Sequence, residues 1–345
     1  MKVLYIYRNN SLGFSIGNVF RPIEEEMRKY AEVESIYMPC STVSPLSIIK
    51  NCWYAFKKAL SGHYDIIHIT GDVHYLAYAL CVFRNVVVTV HDIGQVVSAT
   101  NKLRHKLLYL FYVKSLNYAN AITFISAKSF QEVSEIANFP NNKSHIIYNP
   151  ISNQFKYNNK RIHKTSPVVL HIGTKDNKNL ERSIIALSDI NCSLRIIGKL
   201  SDKQKKLLDD SKIRYSNVYN LSNDEIIQEY VNCDIVNFPS TYEGFGMPII
   251  EGQAIGRVVV TSNISPMNDI SNGSCVIVDP YNIESMKNGY IEAIRKNQYY
   301  VEKGMENVKR FSLSTITKEY LELYRSLQNT FHGSYIRTEL NPQNE

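Results

Sequence analysis

The stretch DIVNFPSTYEGFGMPIIEGQAIGRVVVTS, residues 234–262, reads as one β–loop–α–β unit. Its apolar start, 234–238, is expected to be a strand, and Pro248 suits the first turn of a helix over 248–255. Gly256 stops that helix, and the apolar run 257–261 is the next strand. Strands joined through a helix run parallel, and a parallel sheet is covered by helices on both faces.

The same alternation repeats outward from this unit. Around it, strands are expected at 168–172, 193–197 and 275–278, with helices near 180–187, 202–209, 224–232 and 283–296. The first half of the chain carries a like series. Its expected strands are 2–7, 33–37, 65–69, 86–90, 121–125 and 145–147, and its helices 16–30, 46–60, 103–118 and 128–136. The fold class that follows is α/β, with two Rossmann-like, doubly wound parallel-sheet domains. Their expected bounds are 1–152 and 167–312, with the polar segment 153–166 as linker. A last helix, near 314–327, aligns Ile316, Tyr320, Leu323 and Leu327 on one stripe. Residues 313–330 are expected to return to the first domain, and 331–345 to form a flexible tail. Ligands of open parallel sheets sit beyond the carboxyl ends of the strands, so the expected site is a central cleft faced by the two domains.

The 345 residues are ample for two domains, and the fractions that are apolar (44%) and charged (21%) are those of a globular protein. A net charge of +7 suits an anionic ligand or an anionic membrane surface, and no nucleic-acid partner is expected. Six cysteines without a CxxC spacing read as reduced thiols. The start, MKVLYIY, reads as a strand rather than a signal sequence because its apolar run ends at Arg8. The run 75–83 stops at Arg84, far short of a membrane span. A cytoplasmic protein is expected, with peripheral contact at the inner face of the membrane as a further candidate. Helix 46–60 mixes Trp53, Tyr54 and Phe56 with Lys50, Lys57 and Lys58, and helix 103–118 mixes Leu107, Leu108 and Phe111 with Arg104, Lys106 and Lys114. Ordinary helices packing on a sheet would also read this way.

Chemistry is expected in two loops at carboxyl edges. In residues 240–251, Gly244 and Gly246 let the backbone approach a ligand at the start of a helix, which suits an anion or sugar hydroxyls. Glu243 lies in the loop and Glu251 one turn into the helix, so both can accept hydrogen bonds from one ligand; Glu251 alone would also complement the helix dipole. The loop HIGTKDNKN, residues 171–179, offers Lys175 and Lys178, and Lys199 follows Gly198 at another edge. A charge pair about 4 Å apart at an effective dielectric of 20 interacts by roughly 4 kcal/mol before desolvation. A helix N-terminus gives about 0.3–1 kcal/mol, so a lysine is the larger attraction for an anion. With no Asp-x-Asp and no His-Glu-x-x-His, no metal is expected.

The spacing Glu243-Gly244-Phe245-Gly246-x-Pro248-x-x-Glu251 resembles the signature of the GT-B retaining glycosyltransferases of family 4, the glycosyl transferases group 1. Tyr230-x-x-Cys233-Asp234 before it, and Ala254-x-Gly256 after it, extend the resemblance, which covers about 168–295 strongly and the first half weakly. It implies that Glu251 bonds the ribose hydroxyls of a nucleotide and that Glu243 approaches the donor sugar. The amides of Gly244, Phe245, Gly246 and Met247 would meet sugar hydroxyls or the distal phosphate. Lys178, in the loop that opens with Gly173, matches the lysine that grips the diphosphate. Thr174 stands where an arginine is usual, which leaves Lys175 or Lys199 as the second cation.

For the first half the resemblance implies that the Gly13 loop nears the donor phosphates and that His91, in Thr89-Val90-His91-Asp92, lines the cleft. His68 and His74 are candidates to meet the acceptor, and Ser126 and Asn149 resemble positions near the cleft and hinge. The implied activity is transfer of a sugar from a UDP- or GDP-sugar to a glycan or lipid-linked acceptor in polysaccharide biosynthesis. Anomeric configuration would be retained, with no cofactor and no metal. A nucleotide-sugar epimerase or phosphorylase on the same fold, or a sugar-binding partner without activity, are the alternatives. A nicotinamide enzyme is disfavoured because no strand leads into Gly-x-Gly-x-x-Gly.

Overall fold

The computed structural model describes residues 1–12, 15–97 and 99–339. These form two compact units, one of residues 1–150 with the chain from 313 onward, the other of 151–312.

In the first unit the strands β1 (Lys2–Tyr7), β2 (Glu32–Tyr37), β3 (Ile66–Ile69), β4 (Val86–Val90), β5 (Ala121–Phe124) and β6 (Ser144–Ile146) form a parallel sheet in the order β2-β1-β3-β4-β5-β6. Its helices are α1 (Ser15–Met27), α2 (Pro45–Gly62), α3 (Leu76–Leu80), α4 (Gly94–Val97), α5 (Lys102–Leu108) and α6 (Ala127–Ile136). Successive strand residues alternate between two cores. Leu4, Ile6, Ile67 and Val88 face α2 and α3, while Val3, Tyr5, Ile66 and Val87 face α1 and the last helix.

The expected helix 103–118 is three pieces: α5, a π-helical turn over Tyr109–Val113 and a 3-10 turn over Lys114–Tyr118. Leu108, Tyr109, Phe111, Tyr112, Val113 and Leu116 all pack toward the core, a wider face than one α-helical stripe provides, and the wider turn accommodates it.

The second unit holds β7 (Val168–Ile172), β8 (Ser193–Ile197), β9 (Arg214–Val218), β10 (Ile235–Phe238), β11 (Val258–Ser262) and β12 (Val276–Val278) in the order β12-β11-β10-β7-β8-β9, again all parallel. Its helices are α7 (Leu180–Leu187), α8 (Asp202–Ser211), α9 (Asn223–Asn232), α10 (Met247–Ile255), α11 (Met267–Ser271), α12 (Ile283–Arg295) and α13 (Asn297–Asn307). Strand β9 was not expected. Its sequence RYSNV is polar because it is an edge strand, paired only with β8, and so lacks the apolar run of a central strand.

The polar segment 153–166 belongs to this unit. Arg257, buried, donates to the carbonyl and side-chain oxygens of Asn158, and Lys160 lies 3.1 Å from Asp234.

Helix α14 (Leu313–Glu339) packs on the first sheet through Ile316, Tyr320 and Tyr324. Its anchor is polar as well as apolar. The two ring nitrogens of His68 lie 2.6 Å from Tyr324 Oη and 2.8 Å from Thr89 Oγ1, and the Tyr324 hydroxyl donates to Tyr5 Oη at 3.2 Å. Burial pushes His68 down to about 3, so the ring is neutral in this network. Tyr324→Phe leaves His68 Nδ1 buried without its partner and should cost about 1–3 kcal/mol. Denaturant unfolding of the two proteins checks this, and an unchanged midpoint would remove Tyr324 from the anchor.

Candidate functional site

Strand order reverses between β7 and β10 in the second sheet, because the chain builds outward through β8 and β9 and then returns to the other side of β7. A crevice opens at such a reversal, beyond the carboxyl ends of the two central strands. The loops that leave β7 and β10 are the two that carry Lys178 and Glu243, and they are stitched together. Thr241 N–H donates to Asn177 O at 2.8 Å, and Asn177 Nδ2 donates to Tyr242 O at 2.8 Å. Asn179, buried in the left-handed conformation (φ 62°), donates to Pro239 O and Pro280 O. Asparagine tolerates that conformation, and its turn directs the chain into α7.

Lys178 Nζ lies 2.5 Å from Glu243 Oε1 and 4.9 Å from the centre of the Phe238 ring. Both side chains of the pair keep part of their surface in solvent, so the ammonium is positioned yet reachable. Gly173 makes this placement possible. Its φ is +91°, and a Cβ there would stand 2.8 Å from Lys178 Cγ. Gly173→Ala therefore strains the backbone and displaces the lysine stem; strain of this kind costs about 1–3 kcal/mol. Affinity for an anionic ligand at this lysine, with pyrophosphate as the probe, should fall at least tenfold with the fold retained, measured by titration calorimetry with circular dichroism as control. Wild-type affinity would contradict the placement.

Under the loops runs a buried polar chain. The Tyr290 hydroxyl donates to Asn237 Oδ1 at 2.9 Å, which leaves Asn237 Nδ2 to donate to His171 Nδ1 at 2.9 Å. Burial, with Lys178 adding to it, pushes His171 down to about 3. A neutral ring beside the lysine adds no repelling charge.

Glu251, on the first turns of α10, is bonded by the hydroxyl of Tyr230 from α9. Burial pushes its carboxyl up to about 7, and the Tyr230 bond and the Lys178 charge pull the other way. A carboxylate with so little hydration gains much from a hydroxyl donor brought by a ligand. Gly246, φ 118°, starts α10, and Pro248 sits in its first turn.

The other expected residues are placed as follows. Thr174, at the position where an arginine is usual, donates its hydroxyl to Lys199 O at 2.8 Å. Lys175 and Lys199 are exposed. The Phe245 ring is buried against Phe311. Gly13 lies outside the described residues.

His91 belongs to the first unit. Its Nε2–H donates to Thr70 O at 2.8 Å, which leaves Nδ1 as an acceptor, and burial lowers its pKa. Gly71 lies against this ring, since a Cβ there would be 2.6 Å from His91 Cδ2. His68 and His74, expected as candidates to meet an acceptor, lie inside the first unit. Both are buried, one in the α14 anchor and the other on Tyr112 O. Ser126 caps α6. Where the first sheet reverses, between β1 and β3, Arg8 pairs with Asp72.

Asn177, Asn179 and Tyr230 were not anticipated as functional residues. Polar residues in a loop or on a helix carry no signal of their own; the pairing of β7 with β10 brings Asn177 to Glu243 and Asn179 to Pro239, and the contact of α9 with α10 brings Tyr230 to Glu251. Among the described residues no three His, Cys, Asp or Glu side chains gather as a metal site would need, and no helix is long and apolar enough to cross a membrane.

Two family models match the chain, Glycosyltransferase Family 4 over residues 19–155 and Glycosyl transferases group 1 over 153–310. An O-antigen chain mannosyltransferase of Escherichia coli is 26% identical over 93 residues, 26% of this chain and 24% of that one. An uncharacterized glycosyltransferase of Methanocaldococcus jannaschii is 26% identical over 261 residues, 67% of this chain and 65% of that one. The chain thus spans less than two thirds of the length of these curated relatives. Among solved structures, sucrose-phosphate synthase of Thermosynechococcus elongatus superposes with a TM-score of 0.75 at 15% identity, covering 96% of this chain and 100% of that one. Anabaena HepE, solved in complex with UDP-glucose, superposes at 0.69 with 16% identity, covering 94% and 100%.

Proposed function

The chain belongs to the family 4 glycosyltransferases, the glycosyl transferases group 1, and on that premise we propose that it transfers a sugar from a nucleotide-diphosphate donor to an acceptor hydroxyl with retention of configuration. The observation that carries this reading is the pairing of Lys178 with Glu243 across the two loops at the reversal of the second sheet, with Glu251 close by. One cation, one solvent-reachable carboxylate and one poorly hydrated carboxylate match a ligand with a charged diphosphate between two groups of hydroxyls.

Lys178 takes the charge that grows on the diphosphate as the glycosidic bond breaks, helped by the start of α10. Glu243 orients sugar hydroxyls and Glu251 the ribose. The acceptor oxygen attacks the anomeric carbon from the side of the departing diphosphate, whose oxygen receives the acceptor's proton. The nucleoside diphosphate leaves, and the anomeric configuration is kept. Glu243 is held by Lys178 and Asn177 as a hydrogen-bonded carboxylate, a poor nucleophile, which favours this route over a glycosyl-enzyme.

The donors to screen follow from the relatives: UDP-glucose from the HepE complex, and a mannose nucleotide from the O-antigen mannosyltransferase. Glycan and lipid-linked acceptors are supplied with each. Proton NMR of the product reads the anomeric centre; an inverted product would overturn the mechanism, and a new nucleotide sugar formed without acceptor would mark an epimerase. No metal enters the proposed steps, so activity should survive excess EDTA within about twofold, where an enzyme depending on a metal-bound leaving group loses most of its rate.

A further inference from the structure

We propose that α2 seats the first unit on an anionic lipid surface. The helix carries two apolar stripes on separate faces. The inner one, with Ile48, Cys52, Ala55 and Ala59, packs into the core. The outer one is Leu46, Ile49, Trp53 and Leu60, exposed by 81%, 64%, 63% and 60%. Large apolar residues exposed one at a time are ordinary, but four recurring at helical spacing along one helix mark a surface that meets something.

Charge identifies what it meets. Lys50 and Lys57 stand exposed beside the stripe. The chain has 32 acidic residues, yet none between Glu34 and Asp65 and none between Asp92 and Glu132. The second of these acid-free segments brings exposed Lys102, Arg104 and Lys106 together with exposed Leu103 and Leu107. It packs on the same face of the first sheet as α2, with α3 contacting both. Two copies of this face would oppose like charges, which disfavours self-association. A projecting helix with an indole and aliphatic side chains between lysines suits the boundary of an anionic bilayer, where apolar groups enter and ammonium groups meet phosphate. This inference does not rest on the glycosyl-transfer reading.

Trp53 is the chain's single tryptophan, so it reports on its own insertion. Vesicles containing phosphatidylglycerol should shift its emission to the blue and sediment the protein at low salt; phosphatidylcholine vesicles should do neither. Each basic residue near such a surface is worth about fivefold in binding, so Lys50→Glu with Lys57→Glu should weaken partitioning at least about 25-fold. Leu46→Ser with Ile49→Ser should abolish the emission shift. All four positions are exposed, and circular dichroism checks that both variants fold. Protein that stays in the supernatant with anionic vesicles overturns the proposal, as do variants that bind like wild type. A concentration-dependent blue shift without vesicles, with dimers in sedimentation velocity, overturns it in favour of self-association.

Discussion

Lys178→Ala should lower kcat/KM by about 10²–10³-fold, the usual effect of removing one group that stabilises charge on a leaving oxygen. The side chain is the cation that the two loops jointly place, over Gly173 and against Phe238. Its loss also leaves Glu243 without its counter-ion, so a diphosphate would meet an uncompensated carboxylate. Binding and turnover should therefore suffer together. Lys178→Arg should recover part of the loss. Lys175→Ala and Lys199→Ala, exposed and outside the stitched loops, should each change kcat/KM by no more than a few-fold. Steady-state kinetics on the four variants decides the matter: a Lys178→Ala enzyme within threefold of wild type would remove the lysine from the mechanism, and a large loss at Lys175 would move the second cation there.

Glu251→Gln should raise the stability of the unliganded protein while weakening donor binding at neutral pH. The carboxyl is raised from 4.5 to about 7, so folding favours its protonated form. Its stabilising contribution is full below about pH 4.5 and disappears as pH rises to about 7. Above that, the folded protein carries a poorly hydrated charge that glutamine removes, and Tyr230 can still donate to the amide oxygen. Stabilisation by the variant should therefore be larger at pH 8 than at pH 5.

Donor binding runs the other way, because the carboxylate is the better acceptor for ribose hydroxyls. A group titrating near 7 goes from about one-tenth to about nine-tenths charged between pH 6 and 8, so affinity should tighten about tenfold across that span. Glu251→Gln should remove that dependence and retain only what the diphosphate's own titration contributes. Thermal unfolding and calorimetry at the two pH values give both readouts. A variant less stable than wild type at pH 8 would contradict a carboxylate that folding disfavours.

Much of the architecture was readable because central strands advertise themselves. Runs such as Val86–Val90 and Val258–Ser262 are apolar throughout since helices cover both faces. Strand β9 escaped because an edge has one neighbour and needs no such run. The break in the 103–118 helix escaped because apolar periodicity shows that a face is buried, not how wide that face must be. The site was half legible. Lys178, Glu243 and Glu251 stand in a recognisable frame, and Gly173 and Gly246, which lie in the two expected loops, have positive φ. Asn177 and Asn179 flank Lys178 in its own loop, but their bonds to Glu243 and Pro239, like that of Tyr230 to Glu251, arise only when strands and helices are assembled. Thr174 shows the limit from the other side: it stands where the resemblance leads one to look for an arginine, and its hydroxyl bonds Lys199 O instead.

A nucleoside diphosphate is expected to bind where the second sheet reverses, between the loops that leave β7 and β10. Hydrogen–deuterium exchange, run with and without UDP and GDP, tests this most directly. The expected result is slowed exchange concentrated in residues 173–179 and 240–251, absent in Lys178→Ala. If a nucleotide bound with protection elsewhere and those two segments exchanged unchanged, the site would have been assigned to the wrong place.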